Sequence, residues 1–71
     1  MTIICAEIAK GTSTRDAAFN LMKLGLPVLG WIGRKCLVVK KTGTDLARIM
    51  HVEGCRSAKE YALENGGLRP L

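Results

Sequence analysis

The sequence predicts a single small α+β domain, covering residues 1–71, in which a helix leads directly into a basic-tipped hairpin. The helix signal is Ser13, whose hydroxyl can cap a helix that runs from Arg15 to Leu24 before Gly25 stops it. The hairpin signal is a pair of apolar runs on either side of Gly33-Arg34-Lys35. A helix followed by such a hairpin is the order of elements in a winged helix.

Composition favours a folded, basic domain. Eleven Lys and Arg against six Asp and Glu give a net charge of +5, which favours polyanionic partners such as nucleic acid or a protein with an acidic face. The hydrophobic fraction is 48% but the aromatic fraction is only 4%, so the core must consist mainly of aliphatic side chains. At 71 residues the chain has a small core, and we expect a modest free energy of unfolding.

Residues for catalysis or cofactor binding are sparse. The three cysteines have no short paired spacing, and the chain holds one histidine. We find no glycine-rich phosphate loop and no nucleophile, base and orienting group at a plausible spacing, so the sequence predicts neither an enzyme nor a metal or cofactor site. The absence of a signal peptide and of a long apolar run predicts a cytoplasmic protein with reduced thiols and no membrane contact.

The N-terminal segment from Thr2 to Ile8 is ambiguous. Its isoleucines suit a short strand, whereas Ala6 to Lys10 would serve as a short first helix. The winged-helix prediction requires the helix, which we favour. A strand would instead give a small βαββα domain, the alternative fold.

Two further helices are predicted in the C-terminal half. Thr42 or Thr44 can cap the first of them, which Asp45 begins and Gly54 ends. Its apolar residues recur at helical spacing and should face the core; they are Leu46, Ile49 and Met50.

The last predicted helix runs from Ser57 to Asn65. Glu60 occupies the capping-box position relative to Ser57, and Asn65-Gly66-Gly67 ends the helix. The tail from Leu68 to Leu71 is expected to be frayed or docked through its leucines.

Punctuating residues follow the same order as in a known group of domains. A glycine and a serine open the helix, a lysine and a glycine end it, Leu-Pro enters the hairpin, a basic turn follows, and Asp-Leu starts the next helix. The matching residues are Gly11, Ser13, Lys23, Gly25, Leu26, Pro27, Gly33, Arg34, Lys35, Asp45 and Leu46. In this order the chain resembles the small winged helix-turn-helix domains of the excisionase and MerR-like families.

The resemblance implies sequence-specific binding to double-stranded DNA, with a recognition helix over residues 13–24 in the major groove and a basic wing over residues 33–35 at the backbone. Further lysines would contact phosphates. The predicted DNA-binding residues are Ser13, Thr14, Arg15, Asn20, Lys23, Arg34, Lys35, Lys40 and Lys41.

Two functional hypotheses remain open from the sequence. The first is a non-enzymatic DNA-binding protein, excisionase-like or a transcriptional regulator of a phage or other mobile element, acting as a homodimer or cooperative oligomer through its last helix. The second is a small inhibitor or adaptor that binds a larger host protein through an exposed hairpin around Trp31 and Ile32. The first requires the cations of the helix and hairpin on one contiguous face.

Overall fold

A computed structural model describes residues 1–41, 43 and 46–71 of the chain. Within these residues the chain forms five strands and two short helices. In order they are β1 (Thr2–Ile8), α1 (Thr14–Met22), β2 (Val28–Ile32), β3 (Lys35–Val39), α2 (Leu46–Met50), β4 (Cys55–Glu64) and β5 (Gly67–Pro70).

The strands form one antiparallel sheet in the order β2-β3-β1-β4-β5, so the N-terminal strand lies in the middle. The chain from β1 through α1 to β2 passes over β3, and the chain from β3 through α2 to β4 passes over β1. Two such interleaved βαβ units make the split βαβ arrangement of ferredoxin-like folds, here extended by β5.

Both helices pack on the same face of the sheet. Ile4 and Ala6 of β1 belong to one buried cluster with Leu21 of α1 and Ile49 of α2. The remaining buried members of this cluster are Leu26, Cys36 and Val38. The core is therefore aliphatic, as the composition predicts.

The central helix and hairpin are confirmed at the level of single elements. The Ser13 hydroxyl accepts a hydrogen bond from the Asp16 amide at 3.4 Å, and α1 ends at Met22, two residues before the predicted end. The hairpin turn contains Gly33 and Arg34, whereas Lys35 already belongs to β3.

The third predicted helix is confirmed as α2, although it ends at Met50 and not at Gly54, and one side chain is misplaced. Ile49 is fully buried and Leu46 is half-buried, but Met50 is exposed. The predicted caps Thr42 and Thr44 and the predicted start at Asp45 lie outside the described residues.

The winged helix-turn-helix prediction is wrong, and the first reason is the N-terminal segment. Thr2–Ile8 is a strand, and the adjacent Ile3 and Ile4 are both fully buried. Successive residues of a strand point to opposite faces, so Ile3 and Ile4 are buried on opposite sides of the sheet.

The second reason is the C-terminal segment, where β4 replaces the helix predicted from Ser57 to Asn65. Asn65 and Gly66 have φ angles of 47° and 79°, the left-handed conformation that both central residues of a type I′ hairpin turn require. This turn returns the chain as β5, where a frayed or docked tail was expected. The alternative βαββα prediction also lacks β4 and β5.

Two loops meet closely at the end of the sheet where β1 ends. The Ala9 amide donates a hydrogen bond to the Gly54 carbonyl at 2.9 Å, and Gly54 has a φ of +90°. A Cβ atom on Gly54 would lie 2.5 Å from the Thr12 Cγ2 atom. Position 54 therefore needs glycine for its backbone conformation and for the space beside Thr12.

We expect Gly54→Ala to lower the free energy of unfolding by about 2 to 4 kcal/mol, because left-handed strain and a steric clash add. Gly66→Ala is the matched control, since its φ of +79° is similar but its Cβ would meet nothing within 4 Å. The control should cost only about 1 to 2 kcal/mol. Urea unfolding of both variants measures these losses. Gly54→Ala combined with Thr12→Ser lacks the Thr12 Cγ2 atom and should therefore recover part of the loss. Equal losses at positions 54 and 66 would contradict the steric clash.

Burial raises the pKa of the Cys36 thiol from 9.0 to about 11, with a smaller contribution from Cys5 and Cys55. The side chain is fully buried in the helix-covered core. In the unfolded chain the thiol ionises near pH 9, whereas in the folded chain it stays protonated until about pH 11. Its contribution to stability is thus complete below pH 9 and is lost as the pH rises through this window.

We expect the urea midpoint of the native chain to fall more steeply between pH 9 and about pH 11 than that of Cys36→Ala. The comparison uses the slope with pH, so the cavity that alanine leaves does not affect it. Between pH 9 and about pH 11 the native chain should lose about 1 to 3 kcal/mol more of its free energy of unfolding than Cys36→Ala loses. Parallel curves for the two proteins would show that Cys36 does not titrate with unfolding.

Candidate functional site

The face of the sheet opposite the helices is the most distinctive surface of the fold. Because Ile4 and Ala6 point toward the helices, the alternating residues Ile3, Cys5 and Glu7 of β1 point to the other face. Their cross-strand neighbours on β3 and β4 share that side. We call this surface the open face.

One half of the open face is apolar. Ile3 lies between Val39 of β3 and Tyr61 of β4, and Cys5 lies beside Leu37. Ile3 is fully buried although neither helix lies on this side, whereas Val39, Tyr61 and Leu37 are half-buried. The neighbouring side chains therefore cover Ile3 and themselves stay in contact with solvent.

The other half of the open face contains a polar recess of about 200 Å³. Residues from three adjacent strands line it: Cys5, Glu7, Lys35, Ser57, Lys59 and Tyr61. Lys59 is directly opposite Cys5 on β4, and Lys35 is directly opposite Glu7 on β3. The sheet register thus places an ammonium group on each side of β1.

The charges in the recess favour an anion. Lys35 and Lys59 are exposed, and among the described residues neither ammonium group is engaged by a hydrogen bond or an ion pair. The Glu7 carboxylate is approached by the Arg56 guanidinium, with 3.8 Å between Oε2 and Nε. Burial raises the pKa of the Cys5 thiol, so this group adds no negative charge at neutral pH.

The residues predicted to form a recognition helix have other roles in α1. Ser13 caps the helix, and the Asn20 amide nitrogen donates to the Glu53 carbonyl at 3.4 Å. The Lys23 ammonium lies 4.9 Å from the centre of the Phe19 ring. Thr14 is half-buried and Arg15 is exposed on the helix.

Arg34, the predicted tip of the wing, binds the protein's own backbone. Its guanidinium donates to the carbonyl oxygens of Ala9 at 2.7 Å, Thr12 at 2.6 Å and Ile8 at 3.4 Å. These carbonyls lie at the end of β1 and in the loop that leads to α1. Arg34 therefore fixes this loop to the β2–β3 hairpin.

The predicted basic residues do not form one face. Lys40 pairs with Glu60, Lys41 is exposed beyond the end of β3, and Lys35 faces the recess. Arg15 is on α1, in the helical layer. The structure thus brings none of the other predicted cations beside Lys35 on the open face.

The apolar hairpin residues are exposed but point to different sides. Trp31 is 36% exposed and pairs with Cys36, which places it on the helical side of the sheet. Ile32 is 59% exposed and pairs with Lys35, which places it on the open face. They flank the free edge of β2 from both sides.

Sequence reasoning missed most of the recess, namely Cys5, Glu7, Ser57, Lys59 and Tyr61. Three of these lie on β4, in the segment interpreted as the last helix. The signal that could have found them is Asn65-Gly66, the strongest short hairpin signal, which indicates a strand on each side.

No protein family, curated protein or solved structure matches this chain. Among the described residues, no group of three or more His, Cys, Asp or Glu side chains is placed to hold a metal ion. The helices of the described part of the chain are too short to cross a membrane.

The role of Arg34 can be tested by stability. We expect Arg34→Ala to lower the free energy of unfolding by about 1.5 to 3 kcal/mol, because three backbone carbonyls lose a charged donor. Arg15→Ala removes the same charge from the exposed surface of α1 and should cost less than about 0.5 kcal/mol. Urea unfolding followed by circular dichroism makes the comparison. An Arg34→Ala protein as stable as Arg15→Ala would contradict the assigned role.

Proposed function

We propose that the protein binds single-stranded nucleic acid across the open face of its sheet, with the recess as a phosphate-binding subsite. The observation that carries the proposal is the pair of lysines, Lys35 and Lys59, on opposite sides of β1 and beside Tyr61. Sheets of this kind, with helices on one face, are a recurrent platform for single strands, whose unstacked bases lie on aromatic side chains.

The chemistry of the open face matches the two needs of a single strand. A phosphate needs positive charge, which the two ammonium groups supply. A base needs a flat or apolar surface, which Tyr61 and the apolar half around Leu37 and Val39 supply. Ser57 in the recess adds a hydroxyl that can donate to a phosphate oxygen.

The proposal replaces double-stranded DNA as the expected partner. Reading the major groove requires a helix that projects its polar side chains. Of the four exposed side chains of α1, Phe19 and Met22 are apolar, and the charges of the other two, Arg15 and Asp16, cancel. The basic tip of the hairpin is occupied by the backbone contacts of Arg34.

The test is fluorescence anisotropy with a labelled mixed-sequence single strand, as RNA and as DNA, and with the matching duplex at two salt concentrations. We expect Lys35→Ala combined with Lys59→Ala to reduce the salt slope by about 1.4, since each lysine neutralises one phosphate. We expect Tyr61→Leu to weaken binding by about 5- to 150-fold through lost stacking.

The matched control is Arg15→Ala combined with Lys23→Ala, which removes the same charge from exposed positions in α1 and at its C-cap, in the helical layer. This control should keep most of the affinity. Equal losses in the two double variants would show attraction by net charge alone. Tighter binding to the duplex, or no binding at low salt by a folded chain, would overturn the proposal.

A further inference from the structure

The two outer strands of the sheet differ in how they are protected. β5 is four residues long and contains Arg69, which pairs with Glu64, and Pro70, which has no amide hydrogen to donate. Charges and prolines of this kind keep an edge from pairing with another chain. The β5 edge is thus protected in the usual way.

The β2 edge carries no such residue. Its sequence from Val28 to Ile32 contains no charge and no proline, and among the described strands it pairs only with β3. A register shift leaves Leu29 without a partner on β3, and this side chain is 52% exposed. Trp31 and Ile32 extend the exposed apolar surface on both sides of the edge.

We infer that the β2 edge pairs with the β2 edge of a second copy of this chain, in antiparallel orientation about a two-fold axis near Gly30. This pairing places Leu29 near Trp31 of the partner subunit. The two sheets become one continuous sheet, and the unpaired amide and carbonyl groups of each edge gain partners.

Charge favours a second copy in this orientation, although each chain carries +5. The basic residues Arg34 and Lys35 follow Ile32 at one end of β2, whereas Leu26 and Pro27 precede Val28 at the other. Antiparallel pairing places Arg34 and Lys35 of each copy at opposite ends of the joined strands. The two pairs of basic residues therefore stay apart, which parallel pairing would not allow.

The size of the chain also favours self-association. A chain of 71 residues has a small core and a modest free energy of unfolding. Association of folded copies would stabilise the folded state by mass action. Covering Leu29, Trp31 and Ile32 would remove three large apolar side chains from water.

Sedimentation over a concentration series tests the inference, because the native chain should shift from monomer mass to twice that mass. Trp31 is the single tryptophan, so its emission should move to shorter wavelength over the same range. Leu29→Lys should remain monomeric, since it inserts a charge at the edge. Met22→Lys is the matched control, an equally drastic change at a 58% exposed residue of α1, and should still dimerise.

Circular dichroism establishes that each variant is folded. If Leu29→Lys does not fold, Ile32→Lys replaces it with the same expected result. A native chain that stays monomeric at millimolar concentration would overturn the inference, as would a dimer that Leu29→Lys leaves intact. Loss of the dimer in Met22→Lys alone would assign the interface to α1, and open-ended assemblies would exclude the closed two-fold pair.

Discussion

The structure depends on the antiparallel pairing of β1 with β3 on one side and with β4 on the other. This register decides which residues lie under the helices and which lie on the open face. It also places Lys35 and Lys59 on opposite sides of β1, although the two lysines are far apart in the sequence. Because side chains alternate along a strand, a shift of one residue would send these lysines toward the core. The register of the central strand therefore also determines whether the candidate site can form.

Signals that act within a few residues were sufficient to predict α1 and the β2–β3 hairpin. Ser13 caps a helix by bonding an amide three residues on, and Gly33 with Arg34 forms a turn whose two flanking runs are adjacent in sequence. Such contacts cost little chain entropy and are visible in the residues themselves. The exposure of Trp31 and Ile32, which only the hypothesis of a protein-binding hairpin required, has a different origin, because it follows from the outer position of β2 in the sheet.

The remaining fold and most of the site depend on contacts between distant segments. Ile3 and Ile4 become a strand because β3 and β4 flank them, and nothing within Thr2–Ile8 decides this. Ser57 and Glu60 imitate a capping box, but Glu60 pairs with Lys40 across the sheet. The number of basic residues overstated the charge that is free to bind a partner. Arg34 donates to backbone carbonyls, and Lys40 pairs with Glu60. Only Lys35 was predicted among the recess residues, and it was assigned to a wing.

The central position of β1 also affects the order in which the protein can fold during its synthesis. Translation produces β1 before β3 and β4, so the strand with Ile3, Ile4 and Ile8 leaves the ribosome with no partner for either edge. The sheet cannot close around it until most of the chain has been made. Folding in this topology is therefore late and dominated by distant contacts, which slows it and exposes apolar surface in the nascent chain. A nascent chain released before β4 is complete would retain an apolar strand with one free edge.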